Sequence, residues 1–459
     1  MAALRVAVIG AGPAGFFLAD RLLAAGAGAA VDMYERLPAP YGLVRFGVAP
    51  DHEKIRNVTR SFDKVAGRDG FRFFGNVEVS RHVDLATLRR YYHAVAFSTG
   101  APTDRRLGIP GEDLEGSHAA TEFVAWYNGH PDYVDRQFDL GVTSVAVIGV
   151  GNVAVDVARI LCRTQEELAA TDIAGYALEA LAASQVRQVF LLGRRGPVQA
   201  AFTTPEVKEL GELPGADVQV IPDEIALDPV SRHALEHEAD AATRRKVEVL
   251  EEFARREPAG KSRLLTLRFL VSPVEILDDG TGRVGGVRLM RNRLVERDGS
   301  LRAEPTGETE ELQVQLVFRS VGYRGLPIPG LPFDDRAAVV PNADGRVLDP
   351  RTGAPIPGLF VSGWIKRGPT GVIGTNKPDA AQTADAILED AGNDALPTPG
   401  GTAEELDELI HAAQPDVVGW PDWLLLSTLE TNAGKAAGRP RIKHTSVEAM
   451  LAAIRAGQA

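Results

Sequence analysis

The sequence of 459 residues contains one cysteine, Cys162. A single thiol excludes an intrachain disulfide framework, a CxxC dithiol couple and a thiolate-held iron–sulfur cluster. Redox chemistry in this chain therefore calls for a bound organic cofactor or an external partner. Cys162 follows Ile160 and Leu161 in a helical pattern and is expected to fill core. Long hydrophobic runs are also missing. The apolar stretch from Val6 to Leu23 could pass for a signal peptide, but Gly10, Gly12 and Gly15 interrupt it, and Asp20 and Arg21 fall inside it. It lacks the roughly 18 uninterrupted apolar residues that a membrane span needs. It reads as a first strand and helix, and a cytoplasmic address is the default expectation. Positive charge is in deficit as well, with 50 Lys and Arg against 62 Asp and Glu, a net charge of −12. That argues against a general nucleic-acid binder and against an anionic membrane surface.

Glycine (47) and proline (29) are plentiful, which suits many short strand-to-helix turns. The length exceeds one ordinary core, so two or three domains are expected. Apolar strands alternate with helical patterns in the first hundred residues. Arg5 to Ile9, Val31 to Glu35 and His93 to Ser98 read as strands, and Ala14 to Ala25 as a helix. This is the signature of parallel βαβ units. The pattern restarts near residue 143, with strands at Ser144 to Ile148 and Val186 to Leu192 and a helix from Asn152 to Leu161. An insertion at about 162–185 is expected to loop out. Residues 231–263 are charged and helical in character. Leu264 to Leu270, Val284 to Met290 and Leu312 to Ser320 read as antiparallel strands. Leu359 to Val361 reads as a last strand, and Asp379 to Leu388 as a helix.

Two dinucleotide fingerprints stand in this frame. Gly10-Ala11-Gly12-Pro13-Ala14-Gly15 follows a strand and opens a helix. Gly10 permits the tight turn, Gly12 lets the backbone approach a pyrophosphate, and Gly15 lets helix and strand pack closely. The helix N-terminus adds amide donors and a favourable dipole. Glu35 ends the next strand, where a carboxylate can accept from a ribose 2′-hydroxyl and repels a 2′-phosphate, so this site suits FAD or NAD. Gly149-Val150-Gly151-Asn152-Val153-Ala154 is the second copy, with alanine in place of the last glycine. Its second strand ends in Gly193-Arg194-Arg195-Gly196. Two fixed cations there suit the 2′-phosphate of NADPH, because guanidinium presents a planar fork to phosphate oxygens. The plain alternative is a pair of solvated surface arginines. One site that rejects phosphate and one that accepts it make a flavin-plus-NADPH enzyme.

Longer motifs go further. Tyr41 through His52, Gly151 through Arg159, Gly193-Arg194-Arg195-Gly196-Pro197 and Gly363 through Lys377 resemble the adrenodoxin reductase family of NADPH–ferredoxin reductases. The chain looks like a bacterial member, and the resemblance covers nearly all of it. It implies an α/β fold of two doubly wound, Rossmann-like domains of the glutathione-reductase type. The FAD domain would be built from 1–103 and 328–459, with an NADPH domain, 104–327, inserted between. FAD contacts are implied for Ala14, Glu35, Leu43, Val79, Trp364, Gly371, Val372 and Ile373, beside the fingerprint glycines. NADPH contacts are implied for Val150, Gly151, Asn152, Val153, Arg194, Arg195, Glu206 and Gly371. His52 and Glu209 are implied beside the nicotinamide, for proton handling or for positioning it. Without the resemblance His52 would read as an N-cap or surface residue, and Glu206 and Glu209 as a solvated helix face. Asp156 is expected to pack at a domain interface. No metal site is expected.

With no second redox group in the chain, the electrons are expected to leave singly for a ferredoxin-type iron–sulfur protein. Between 244 and 263 lie seven basic residues against four acidic ones. This marks Arg244, Arg245, Lys246, Arg255 and Arg256 as a docking patch for an acidic partner, or equally as a mixed-charge solvated helix. An NADPH diaphorase or quinone reductase, an electron-input subunit of a larger complex, and a non-enzymatic sensor of the NADP(H) ratio remain as alternatives.

Overall fold

A computed structural model of the chain describes residues 4–26, 28–297 and 300–458. The chain divides into two compact units, each with its own core. The first comprises Met1–Thr103, Asn128–Val134 and Tyr323–Ala459, and the second Asp104–Tyr127 and Asp135–Gly322. Residues 128–134 and 323–327, expected in the inserted stretch, group with the first unit.

The first unit is organised by a seven-stranded sheet. Arg5–Ile9 lies at its centre with Ala30–Tyr34 on one side and Ala94–Phe97 on the other. Phe71–Phe74 lies beyond Ala30–Tyr34, and Pro355–Val361 beyond Ala94–Phe97. These five run parallel, and Arg346–Leu348 and Asn342–Ala343 close the far edge antiparallel. Val6, Ala7 and Val8 are wholly buried. Such a continuous apolar run is what a parallel strand needs when helices cover both faces. The helices Pro13–Ala24 and Asn376–Gly392 pack against each other on one face, with Phe16, Leu18, Leu22, Ala380, Ala384 and Ile387 in one core. Strand order reverses between Arg5–Ile9 and Ala94–Phe97. The crevice outside the carboxyl ends at such a switch point is where open α/β sheets bind ligands.

The second unit repeats the plan. Its six-stranded sheet runs in the order Ser117–Ala119, Leu316–Arg319, Ser144–Ile148, Gln188–Leu192, Arg263–Arg268, Ala216–Val220, with every pairing parallel. Its switch point lies between Ser144–Ile148 and Leu316–Arg319. A separate antiparallel sheet joins Val271–Asp278, Val284–Arg297 and Ser300–Leu312. The doubly wound reading holds for both units.

Two strand expectations need correction. Arg263–Arg268 is parallel, between Gln188–Leu192 and Ala216–Val220. Leu265, Thr266, Leu267 and Arg268 are all buried, so this is a strand covered on both faces. The helix Ala241–Arg255 supplies the crossover that a parallel connection requires. The stretch 312–320 also divides. Leu312 ends the outer hairpin, whereas Leu316–Arg319 enters the parallel sheet beside Ser144–Ile148. The insertion at 162–185 is not bare loop but holds the helices Gln165–Ala169 and Gly175–Ala182.

Candidate nucleotide-binding sites

The two fingerprints are built by the same bonds. Gly10 N donates to Tyr34 O at 2.8 Å, and Gly149 N donates to Leu192 O at 2.9 Å, so each first glycine is tied to the end of the second strand. Both glycines are left-handed in φ, at 107° and 134°. A Cβ on Gly10 would stand 2.7 Å from Ser98 O, and one on Gly149 would stand 2.2 Å from Ser320 O, so only glycine fits either turn. The middle glycines, Gly12 and Gly151, have nothing within 4 Å of where a Cβ would sit. That open space, in front of the first amides of the helices Pro13–Ala24 and Asn152–Cys162, is the cradle a pyrophosphate requires. Gly15 packs so closely that a Cβ would lie 2.1 Å from Gly10 O. Ala154 holds the equivalent place in the second copy and is wholly buried. The residues present thus fit two dinucleotides.

In the first unit several distant segments converge on the fingerprint. Glu35 Oε2 accepts from Ala11 N at 3.1 Å, and Oε1 accepts from Leu37 N at 3.2 Å. Burial raises its carboxyl above the usual range, and the Ala11 and Leu37 amides and the Arg36 charge oppose that rise. Tyr41 N donates to Ala11 O at 2.7 Å, and a Cβ on Gly42 would meet Gly12 Cα at 3.2 Å. Leu43, which opens the short helix Leu43–Phe46, is therefore held next to the cradle. Tyr41 itself has φ 85°, an outlier for a bulky residue, and the surroundings enforce it. Its ring packs against Phe16, Phe62, Trp420 and Trp423, and its hydroxyl bonds Asp63 and accepts from Trp423 Nε1.

The C-terminal motif arrives from the other side, since a Cβ on Gly363 would be 2.6 Å from Ala14 Cβ. Trp364 opens the helix Trp364–Arg367, and its Nε1 donates to Thr370 O at 3.2 Å. Gly371, at φ 79°, turns the chain into Val372 and the 3-10 turn Ile373–Thr375, which leads into the helix Asn376–Gly392. Val79 forms an isolated bridge with Val83 after a turn through Asn76, and Val77 N donates to Glu35 O at 2.9 Å. His52 stands at the N-cap position of Glu53–Arg56, yet its side chain does not cap that helix and is buried. The surface reading of His52 is thereby corrected.

In the second unit the chain around Val150 is gripped tightly. Ala201 N and Phe202 N both donate to Val150 O at 2.9 Å, and a Cβ on Gly193 would press on Val150 Cγ1 at 2.8 Å. Asn152 Oδ1 accepts from Thr203 N at 2.9 Å, which anchors the helix Thr204–Leu210 to the fingerprint. Val153 lies in the first turn of the fingerprint helix. Arg194 is exposed and Arg195 half-buried, and among the described residues no carboxylate pairs with either guanidinium. Burial and the adjacent Arg194 hold Arg195 below its ordinary range, as expected for two crowded cations without an anion.

Glu206 and Glu209 are not a plain solvated face. Glu206 is buried, and its Oε2 is 3.4 Å from Arg159 Nη1, while Glu209 Oε2 is 3.9 Å from the same nitrogen. Arg159 is wholly buried, and its Nη2 also meets Asp156 Oδ1 at 2.6 Å. Asp156 is thus one member of that network. Sequence reasoning missed Arg159, although its place three residues after Asp156 on an apolar helix was a usable signal. It also missed Ser98 and Ser362, whose hydroxyls meet at 2.8 Å beyond two adjacent strand ends. Lys366 and Asp379 were missed too. Asp379 accepts from Gly363 N and pairs with the buried Lys366 at 3.3 Å.

The basic patch is smaller than expected. Lys246 is buried, and its Nζ donates to Ala200 O, so it cannot face a partner. Desolvation lowers its pKa. Arg245 pairs with Glu248 and Glu252, and Arg255 pairs with Glu251. Arg244 donates to Leu235 O and Ala239 O, and Arg256 donates to Gly211 O and lies over Phe253.

Comparison with known proteins finds relatives of nearly the whole chain. Residues 4–190 match the pyridine nucleotide-disulphide oxidoreductase family. The chain is 46% identical over 461 residues to the NADPH-ferredoxin reductase FprA of Mycobacterium tuberculosis, covering 97% of this chain and 98% of that protein. It is 42% identical over 463 residues to human mitochondrial NADPH:adrenodoxin oxidoreductase, covering 97% and 91%. The structure of Mycobacterium tuberculosis FprA in complex with NADPH superposes with a TM-score of 0.93, at 44% identity and full coverage of both chains. The chain belongs to the adrenodoxin reductase-type family of NADPH–ferredoxin reductases.

Proposed function

We infer that this protein is an FAD-dependent NADPH–ferredoxin reductase, which takes hydride from NADPH onto FAD and passes single electrons to a ferredoxin-type iron–sulfur protein. The observation that carries the reading is the contrast at the ends of two equivalent strands. Glu35 offers a carboxylate beside the first fingerprint, and Arg194 and Arg195 offer two guanidinia, without a carboxylate partner among the described residues, beside the second. The first suits the ribose of FAD and the second the 2′-phosphate of NADPH. FAD, when bound, accepts a two-electron hydride and releases electrons one at a time.

The chain's own residues bind and orient. Gly10, Gly12, Ala14, Gly15 and Glu35 would hold the adenosine and pyrophosphate of FAD. Leu43, Val79, Trp364 and Gly371 to Ile373 would line the rest of that cofactor. The helix Asn376–Gly392 presents a positive dipole end to the Gly371–Ile373 loop, which would favour negative charge on a flavin held there. Gly149 to Val153, Arg194, Arg195 and Glu206 would hold NADPH, with Gly371 close to the nicotinamide. Arg159 orients Glu206 and Glu209. His52 and Glu209 would position the nicotinamide or hold a proton there. Arg244, Arg245, Arg255 and Arg256 remain docking candidates for an acidic iron–sulfur partner. Among the described residues no helix is long and apolar enough to cross a membrane. A cytoplasmic location fits a chain whose lone thiol is buried and needs no oxidising compartment.

Steady-state reduction of a ferredoxin by NADPH and by NADH tests the reading. The wild type is expected to reduce ferredoxin and to prefer NADPH. Arg194→Ala with Arg195→Ala should weaken NADPH far more than NADH. Reduction of ferricyanide or quinones without any ferredoxin reduction at low salt would replace this function with a diaphorase. Equal losses for the two coenzymes would remove the 2′-phosphate assignment.

A further inference from the structure

The Arg194–Arg195 turn poses a mechanical problem. Two adjacent guanidinia repel each other before any phosphate arrives, so the turn must be held by other bonds. Its three successive carbonyls supply them. Gly193 O accepts from Val271 N at 3.0 Å, and Arg195 O accepts from Leu270 N at 3.2 Å. Arg194 O, between them, accepts from Asn292 Nδ2 at 2.9 Å. The first two are main-chain bonds that side-chain substitution leaves in place. The third depends on the identity of residue 292.

Asn292 is placed for this contact. It is buried, at 9% exposure, on the strand Val284–Arg297, and the pairing with Ser300–Leu312 shifts register between Met290 and Asn292. Such a bulge re-aims the side chain that follows it. Asn292 N donates to Leu270 O at 2.7 Å, and Leu270 is left-handed, with φ 57°. The Asn292 amide also meets Ser272 Oγ at 2.8 Å. A backbone carbonyl only accepts, so the NH2 end of the amide must face Arg194.

We propose that Asn292 is a positioning residue for coenzyme selectivity: through Arg194 O it holds the arginine pair in the geometry that receives a 2′-phosphate. The inference rests on the NADPH assignment above and deepens it. Replacing the amide leaves Arg194 O without its partner and frees the two cations to splay apart. Ground-state recognition of the phosphate suffers, whereas the nicotinamide end is untouched.

The test compares Asn292→Ala with wild type in ferricyanide reduction, alongside binding of 2′,5′-ADP and 5′-AMP. Expected are a rise of about tenfold in KM for NADPH, an unchanged kcat, and an unchanged KM for NADH. Affinity for 2′,5′-ADP should fall by a similar factor while that for 5′-AMP holds. Equal changes for NADPH and NADH would assign Asn292 a general structural role and overturn the proposal, as would no change at all. If Asn292→Ala does not fold, Ser272→Ala decides. A smaller rise confined to NADPH supports the proposal, and none overturns it. Loss of selectivity in the Arg194/Arg195 double variant together with none at Asn292 sinks this inference alone. No loss in the double variant sinks the coenzyme reading itself.

Discussion

Glu430→Gln is expected to cost the first unit about 3–5 kcal/mol at neutral pH, the range for breaking a buried ion pair by removing one partner. Glu430 is wholly buried on the helix Trp420–Ala436. Its carboxylate accepts from Arg45 Nη1 at 2.9 Å and Nη2 at 2.6 Å, from Arg441 Nη1 at 2.9 Å and from His444 N at 2.9 Å. The glutamine keeps the shape, but it leaves Arg45, itself only 5% exposed, without a counter-charge. The loss is large against a typical total of about 5–15 kcal/mol. Burial alone would raise the Glu430 carboxyl. The charge of Arg45, hydrogen bonds from His444 and Arg45, and the charge of Arg441 overcome this and hold it well below the usual carboxylate range. The stabilisation is therefore present above the unfolded glutamate pKa, near 4.3, and is lost as pH falls through the lower folded value. Arg45 sits in Leu43–Phe46, beside the first fingerprint, so FAD should be released in the same transition. Urea unfolding followed by flavin fluorescence at pH 7 and at about pH 3, inside that window, measures both effects. A variant within 1 kcal/mol of wild type at pH 7 would refute the reasoning.

Gly149→Ala should abolish NADPH-dependent reduction and leave FAD bound, because the new Cβ would stand 2.2 Å from Ser320 O, at φ 134°. Gly10→Ala should do the reverse and yield protein without flavin, because its Cβ would meet Ser98 O at 2.7 Å. Flavin content and NADPH titration separate the two outcomes, and loss of both ligands in either variant would count against independent sites. Burial pushes the Cys162 thiol up to about 12, against a small opposing influence from Arg263. Iodoacetamide at pH 8 should therefore leave Cys162 unmodified until the chain is unfolded, which mass spectrometry would show.

What could be read from the sequence was local. Strand, glycine turn and helix fall within about fifteen residues in each fingerprint, and Glu35 and Arg194 stand at strand ends that the same local pattern places. Strand direction was harder. Leu264 to Leu270 reads as an antiparallel strand, but Arg263–Arg268 is buried on both faces and lies inside the parallel sheet. The supports of the sites were the least legible. Arg45 meets Glu430 across 385 positions, and Asn292 meets Arg194 across 98. A buried arginine and a surface arginine look alike when the partner is that distant. Lys246 shows the same limit from the other side. It sits in a basic run, and only its place on the inner face of Ala241–Arg255 reveals that its ammonium is spent on Ala200 O.

The two nucleotide sites share a turn but not a foundation. In each, the first glycine bonds the end of the second strand and crowds a serine carbonyl beyond the neighbouring strand, so the turn itself leaves no freedom for choosing a ligand. Choice is left to the end of the second strand, and the two ends are secured differently. Glu35 is held by the amides of Ala11 and Leu37, that is, by the fingerprint and its own loop. One acceptor needs no more, because a carboxylate gains from every amide that points at it. Arg194 and Arg195 repel each other, and the carbonyls of Gly193, Arg194 and Arg195 are held instead by Val271 N, Asn292 Nδ2 and Leu270 N of the adjoining antiparallel segment. A cation pair thus needs an outside brace that a lone carboxylate does not. The antiparallel sheet Val271–Asp278, Val284–Arg297, Ser300–Leu312 belongs to the unit that carries the cations, and it supplies that brace. On the proposed assignment, coenzyme selectivity in this chain would therefore depend on three segments, and not on Arg194 and Arg195 alone.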